Sequence, residues 1–223
     1  MLIGKNLNFL FSLEPPWVNN NLLKLFDTNE DFEIAQSLWH GYLRSSRLDP
    51  SVTKKLEEKY RNIFPRIDEV FPGERYIDHF FNHVVLIAIY YLDNPLDNWL
   101  RGFIAQVSED YPKKFAEKLK NHLDSMEEKR IKGLWNRWLK EFWELRNSNS
   151  PNDFSQVEAG AMGRLLLELQ PVLKEAVEIF TDGPVPDFQQ SFFYHELKES
   201  ELPSNNPNLC ARLLIHSTKS PDN

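Results

Sequence analysis

Apolar residues in this chain recur at the spacing of one helix face, and no alternating apolar/polar run is bounded by hairpin turns. Phe32, Ala35, Leu38, Trp39, Tyr42 and Leu43 form an i, i+3, i+4, i+7 stripe, and Val52, Leu56, Tyr60 and Ile63 form another. Only 8 glycines occur in 223 residues, so strand and hairpin signals are scarce. Helix punctuation is abundant instead. Pro15-Pro16 closes an extended lead-in and supplies a first-turn proline to a helix through Trp17, Leu22, Leu23 and Phe26. Thr28 followed by Asp31 reads as an acidic N-terminal cap, and Asp49-Pro50 as a cap followed by a first-turn proline.

Further helices are predicted over Tyr76–Leu92, apolar nearly all round and so central, and after the breaks at Asn94-Pro95 and Tyr111-Pro112. A long helix is predicted over Met126–Arg146, and shorter ones near 154–169, 171–180, 188–198 and 208–217. The tail 218–223 is expected to fray. Three segments hint at a degenerate repeat, with Tyr42 following Trp39, Phe103 following Trp99 and Phe142 following Trp138 on a shared face. The expectation is an all-α fold: an irregular helical-repeat, α-solenoid-like array of about ten to twelve helices with no significant sheet. Asn147–Asp153 (NSNSPND) is polar and turn-rich. It is expected to link an N-terminal helical array, 1–146, to C-terminal helices, 154–223, that continue the same array.

With 16 Phe and 6 Trp, and 41% hydrophobic residues, the chain is too apolar to be disordered. The net charge of −7 repels nucleic acid and anionic membrane surfaces. A single cysteine, Cys210, excludes an intrachain disulfide and a multi-cysteine zinc site. The N-terminal MLIGKNLNFLF lacks the long apolar core and cleavage site of a signal peptide. The longest apolar run, Val84–Leu92, falls well short of the ~20 residues that span a bilayer. No membrane partner and a cytoplasmic location are expected.

No catalytic, cofactor-binding or metal-binding residue stands out. Asp78-His79-x3-His83 has the spacing of zinc protease ligands, but Phe80 stands where that chemistry needs a glutamate base. His40, His122, His195 and His216 are scattered. Cys210 lies in an apolar pattern with Leu209, Leu213 and Leu214, which reads as core packing. The segment Lys129–Arg146 interleaves cations with Trp135, Trp138 and Trp143. Glu127, Glu128, Glu141 and Glu144 dilute its charge, which disfavours nucleic acid. Core packing with a solvated face is the simplest reading of that helix. If it has a functional surface, Arg130, Lys132, Trp135, Arg137, Trp138 and Lys140 are the candidates, since Trp and Arg are enriched in interface hot spots.

Pro16-Trp17, Leu25-Phe26-Asp27, Ala35-x3-Trp39-x-Gly41-Tyr42-Leu43 and Arg47-Leu48 together carry a resemblance. It extends through Trp99–Phe103, Trp135–Trp143 and Phe193–Leu197. The chain resembles the C-terminal helical region, a domain of unknown function, of bacterial sirtuin-like proteins associated with defence against phage. The resemblance implies that a separate N-terminal sirtuin-like domain handles NAD while the helical region serves recognition or assembly. No catalytic residue carries over. The expected function is therefore a non-catalytic protein-interaction module. Its partner would be a second copy, the remainder of a defence protein, or a phage component. The alternatives are an enzyme, hydrolase-like, with a pocket drawn from distant helices and His79 or His195, and a weak nucleic-acid binder through the 129–146 helix.

Overall fold

The computed structural model describes residues 2–44, 48–188 and 193–219, and the chain is all-α, with no strand among the described residues. Arg47, residues 189–192 of the expected 188–198 helix, and residues 220–223 lie outside them. The chain divides into two compact units, one of Met1–Asp93 with Asn98–Val107, the other of Asn94–Asp97 with Ser108–Asn223. The division between the units falls around residues 93–108.

In the first unit the lead-in before Pro15 is helical, not extended: Leu2–Lys5 and Leu7–Leu13 are helices joined at Asn6. The reason is packing. Gly4 sits against the Phe32–Tyr42 helix so closely that a Cβ there would collide with the Leu38 carbonyl oxygen. The missing side chain lets the two backbones touch and holds the short helix in place. Asp31, not Thr28, caps Phe32–Tyr42, its carboxylate accepting from the Ile34 N–H at 3.1 Å. Asp49 caps Pro50–Ile63 as its sequence predicts, accepting from the Ser51 and Val52 N–H groups. Glu74–Tyr90 buries Phe80, Phe81, His83, Val84, Val85 and Ile87, as befits a central helix.

Rings dominate this core. Trp39 meets Tyr60 edge-on at 4.6 Å between centroids and Phe26 at 5.1 Å, and Phe64 meets Trp99 at 5.2 Å. Such edge-to-face pairs add roughly 0.5–1.5 kcal/mol each beyond the area they bury. The indole N–H groups of Trp39 and Trp99 donate to the carbonyls of Phe26 and Val84.

In the second unit Tyr111–Asp124 packs on Gln156–Arg164. The expected Met126–Arg146 helix runs as Glu128–Leu134, a π turn over Trp135–Leu139, and Lys140–Asn147. A π turn widens the helix by one residue and re-aims the side chains of the next turn. Trp99 also lies in a π turn, Leu96–Leu100, whereas Trp39 lies in regular α-helix. The three tryptophan–aromatic pairs are all buried, yet their backbones are not equivalent. Leu173–Phe180, Phe193–Glu199 and Pro207–Ser217 complete the unit. No helix among the described residues is long and apolar enough to cross a membrane.

Candidate interaction surface

The six residues singled out on the 129–146 helix do not form one surface. Arg130, Lys132 and Arg137 are exposed and Lys140 is half-exposed, but Trp135 and Trp138 are fully buried. The helical period explains the split. Ile131, Leu134, Trp135, Trp138, Leu139 and Phe142 share the inward stripe, and the cations fall on the other side. Trp135 packs edge-on against Trp143 at 5.6 Å and donates its N–H to Glu175 Oε2 at 2.7 Å. Glu175 also pairs with Lys140, which holds the carboxylate below its ordinary range and the ammonium above its own. Trp135 and Trp138 are thus core residues.

The other candidate residues are also engaged. His83 is buried, and its Nδ1 lies 2.7 Å from the Tyr60 hydroxyl. Burial pushes the Tyr60 hydroxyl well above its usual pKa, and that of the neighbouring Tyr42 up to about 12. Both tyrosine hydroxyls are thus neutral core groups, and no group of three or more His, Cys, Asp or Glu is placed to hold a metal ion among the described residues. Cys210 is buried, which raises its thiol pKa and works against a nucleophilic role. His79 lies half-buried in the first unit and His195 exposed in the second. A cleft of about 300 Å³ opens in the first unit between Pro50–Ile63 and the end of Glu74–Tyr90. Lys54, Glu57 and Asp93 line it, and Tyr91, also on its wall, donates its hydroxyl to the Leu48 carbonyl. It gathers charges of both signs and no nucleophile–base pair.

Arg146, at the end of the 129–146 segment, is completely buried. Its Nε and Nη2 make a bidentate pair with Glu158, both at 2.8 Å. The remaining donors reach the carbonyls of Ser150, Asn152 and Asp153 at 2.8–2.9 Å. The NSNSPND stretch is therefore a loop wrapped around a guanidinium rather than a free linker. The sequence does hold one signal for this. Ser155-Gln-Val-Glu158 has a capping-box pattern, and Ser155 Oγ does accept from the Glu158 N–H at 3.1 Å. The Glu158 carboxylate goes to Arg146.

The N-terminal segment stays uncovered. Leu2 is 75% exposed, Leu13 63%, Phe9 61%, Ile3 53% and Trp17 52%. Phe9 and Leu13 stand four residues apart on one side of Leu7–Leu13, Leu2 and Ile3 belong to the short helix before the break at Asn6, and Trp17 to the short helix Pro15–Trp17 that follows Glu14. Gly4 and Leu7, on the packed sides of the first two, are buried. Helices apolar on both faces are normally covered on both. This row of exposed apolar side chains is the candidate surface. Sequence reading passes over it because MLIGKNLNFLF invites comparison with a leader peptide and not with a helix.

Residues 85–219, more than half of the chain, match the family model described as Domain of unknown function (DUF4020). The exposed N-terminal face lies outside the matched residues. No curated protein and no solved structure matches the chain.

Proposed function

The chain belongs to the DUF4020 family, and we propose that it is a non-catalytic helical interaction module that docks protein through its N-terminal face. The observation that carries this reading is that Leu2, Phe9, Leu13 and Trp17 of the three short N-terminal helices stand in solvent beside the buried Gly4 and Leu7. Transferring such side chains out of water favours association by about 25 cal/mol per Å² of apolar surface covered. Exposed apolar rows of this kind mark interaction sites on soluble proteins. The resemblance to the helical region of sirtuin-like phage-defence proteins supplies the setting. In it the module works in the cytoplasm as the recognition or assembly part of a system whose NAD chemistry resides elsewhere.

The test uses cells carrying the intact locus. Phe9→Asp and Leu13→Asp alter only exposed positions, so circular dichroism of the purified variants should match the parent. Protection against phage, and any fall in cellular NAD on infection, should be lost in both. Protection that survives both substitutions overturns the docking reading. A locus that encodes no NAD-binding domain in frame with or beside the chain overturns the defence setting.

A further inference from the structure

The helix Pro207–Ser217 turns three side chains inward, Cys210, Leu213 and His216, at the i, i+3, i+6 spacing of one face. Leu214 and Ile215 beside them stand in solvent, so this stripe is what seats the helix. One of its members is a histidine, the side chain whose charge ordinarily changes between about pH 5 and 8. We propose that His216 makes this helix an acid-released latch. With a neutral ring the helix stays docked, and with a protonated one it comes away while the rest of the second unit stays folded. Release can be local because little else ties the helix down. Among the described residues, its only other side-chain hydrogen bond to another element joins Tyr194 and Ser217.

The geometry of the ring leaves no place for a second proton. His216 is 3% exposed, and its Nε2 lies 3.2 Å from the Pro184 carbonyl oxygen. A carbonyl only accepts, so the proton of the neutral ring is on Nε2. Nδ1 is then the bare nitrogen, and it is buried with no hydrogen-bond partner among the described residues. Protonation puts an N–H and a full charge there, and neither is met. The surroundings do little to offset this. Phe180, closing Leu173–Phe180, meets the ring edge-on at 5.5 Å. Leu202–Asn205, packed on the same helix, holds no charged residue. Tyr194 of Phe193–Glu199 reaches the neighbouring Ser217. Arg212 and Lys219 disfavour a charge on His216, and Asp182, two residues before Pro184, favours it. The last turn of a helix also favours a cation. Burial nonetheless holds this imidazole below the usual histidine range. A released ring binds its proton more readily than the docked one. Docking is therefore at full strength above about pH 6.5 and weakens as the pH falls below it.

The chain's single cysteine reports on the helix directly, because Cys210 sits in the same buried stripe. The test follows its labelling in the purified chain by a dithiodipyridine, which reacts with thiols in acid. The urea-unfolded chain serves as the reference at each pH. Relative to that reference, labelling should be slow near neutral pH. Below about pH 6.5 it should speed up by as much as about tenfold per pH unit, because opening takes up one proton. Helicity by circular dichroism should hold over the same range. His216→Gln keeps an N–H donor for the Pro184 carbonyl and does not titrate, and its labelling should stay slow at every pH. His216→Phe, apolar and also unable to titrate, should be equally flat. His122, half-buried in the same unit, is also held low by burial, and His122→Gln should behave as the parent. Labelling that is flat in the parent, or that still speeds up in acid in both His216 variants, overturns the inference. Acid labelling that His122→Gln abolishes moves the trigger to His122 and overturns it too. A rise that comes with loss of helicity overturns the latch, because the unit is then unfolding as a whole.

Discussion

The two compact units bury polar groups by opposite means. In the first, the buried contact is between a hydroxyl and an imidazole: Tyr60 and His83, 2.7 Å apart, inside a shell of rings. In the second it is fully ionic: Arg146 and Glu158, with three backbone carbonyls completing the guanidinium's set of partners. Neutral groups lose little on leaving water, and one hydrogen bond suffices. A charge loses several kcal/mol and stays buried only when its partners are complete. The difference predicts where each unit is fragile. The first should degrade by small steps, and the second should depend heavily on one residue.

Arg146→Met is the sharpest way to break the comparison. It strands the buried Glu158 carboxylate and takes the donor from three part-buried carbonyls, so a loss of about 3–5 kcal/mol is expected. Burial already pushes the Glu158 carboxyl upward against the pull of Arg146. Urea unfolding gives the magnitude. Hydrogen exchange gives the place, and the loosened amides should cluster within 140–164 while those of Pro50–Ile63 keep their protection. A loss below about 1 kcal/mol, the range of exposed pairs, would show that this ion pair is worth no more than a surface one.

Tyr60→Phe is the matched probe of the first unit. It removes the buried hydroxyl that meets His83 Nδ1, so the expected cost is about 1–3 kcal/mol. Exchange should rise in Pro50–Ile63 and Glu74–Tyr90 and stay unchanged around Arg146. A cost equal to that of Arg146→Met would erase the distinction between the units.

Local signals in the sequence locate most of these elements. The cap at Asp49, the proline at Pro112 and the apolar surround of Val84–Ile89 each act through neighbours within one or two turns, and each element stands where those residues predict. The stripe of the 129–146 helix also marks the right inward face. The misses share a cause in contacts across long separations. Nothing near Gly4 says that it will rest on Leu38, so the N-terminal segment reads as an extended lead-in. Nothing in NSNSPND says that three of its carbonyls hold a buried guanidinium, so this loop reads as a linker. The burial of Arg146 goes unmarked in the sequence for the same reason. Composition reports the average environment of a residue type, and arginines are mostly exposed.

The smallest expected effect concerns the cations that remain on the 129–146 helix once its tryptophans are assigned to the core. Arg130→Ala with Lys132→Ala touches two exposed side chains, and a change within about 0.5 kcal/mol is expected in urea unfolding. Phage protection should be unaltered, because the proposed docking face lies on the N-terminal helices of the other unit. The contrast with Phe9→Asp is the informative part. Both alter exposed residues, yet one removes charge from an ordinary solvated face while the other puts charge on a face that is apolar without being covered. If the double alanine variant loses protection and Phe9→Asp keeps it, the interaction surface belongs on the second unit after all, built from cations alone.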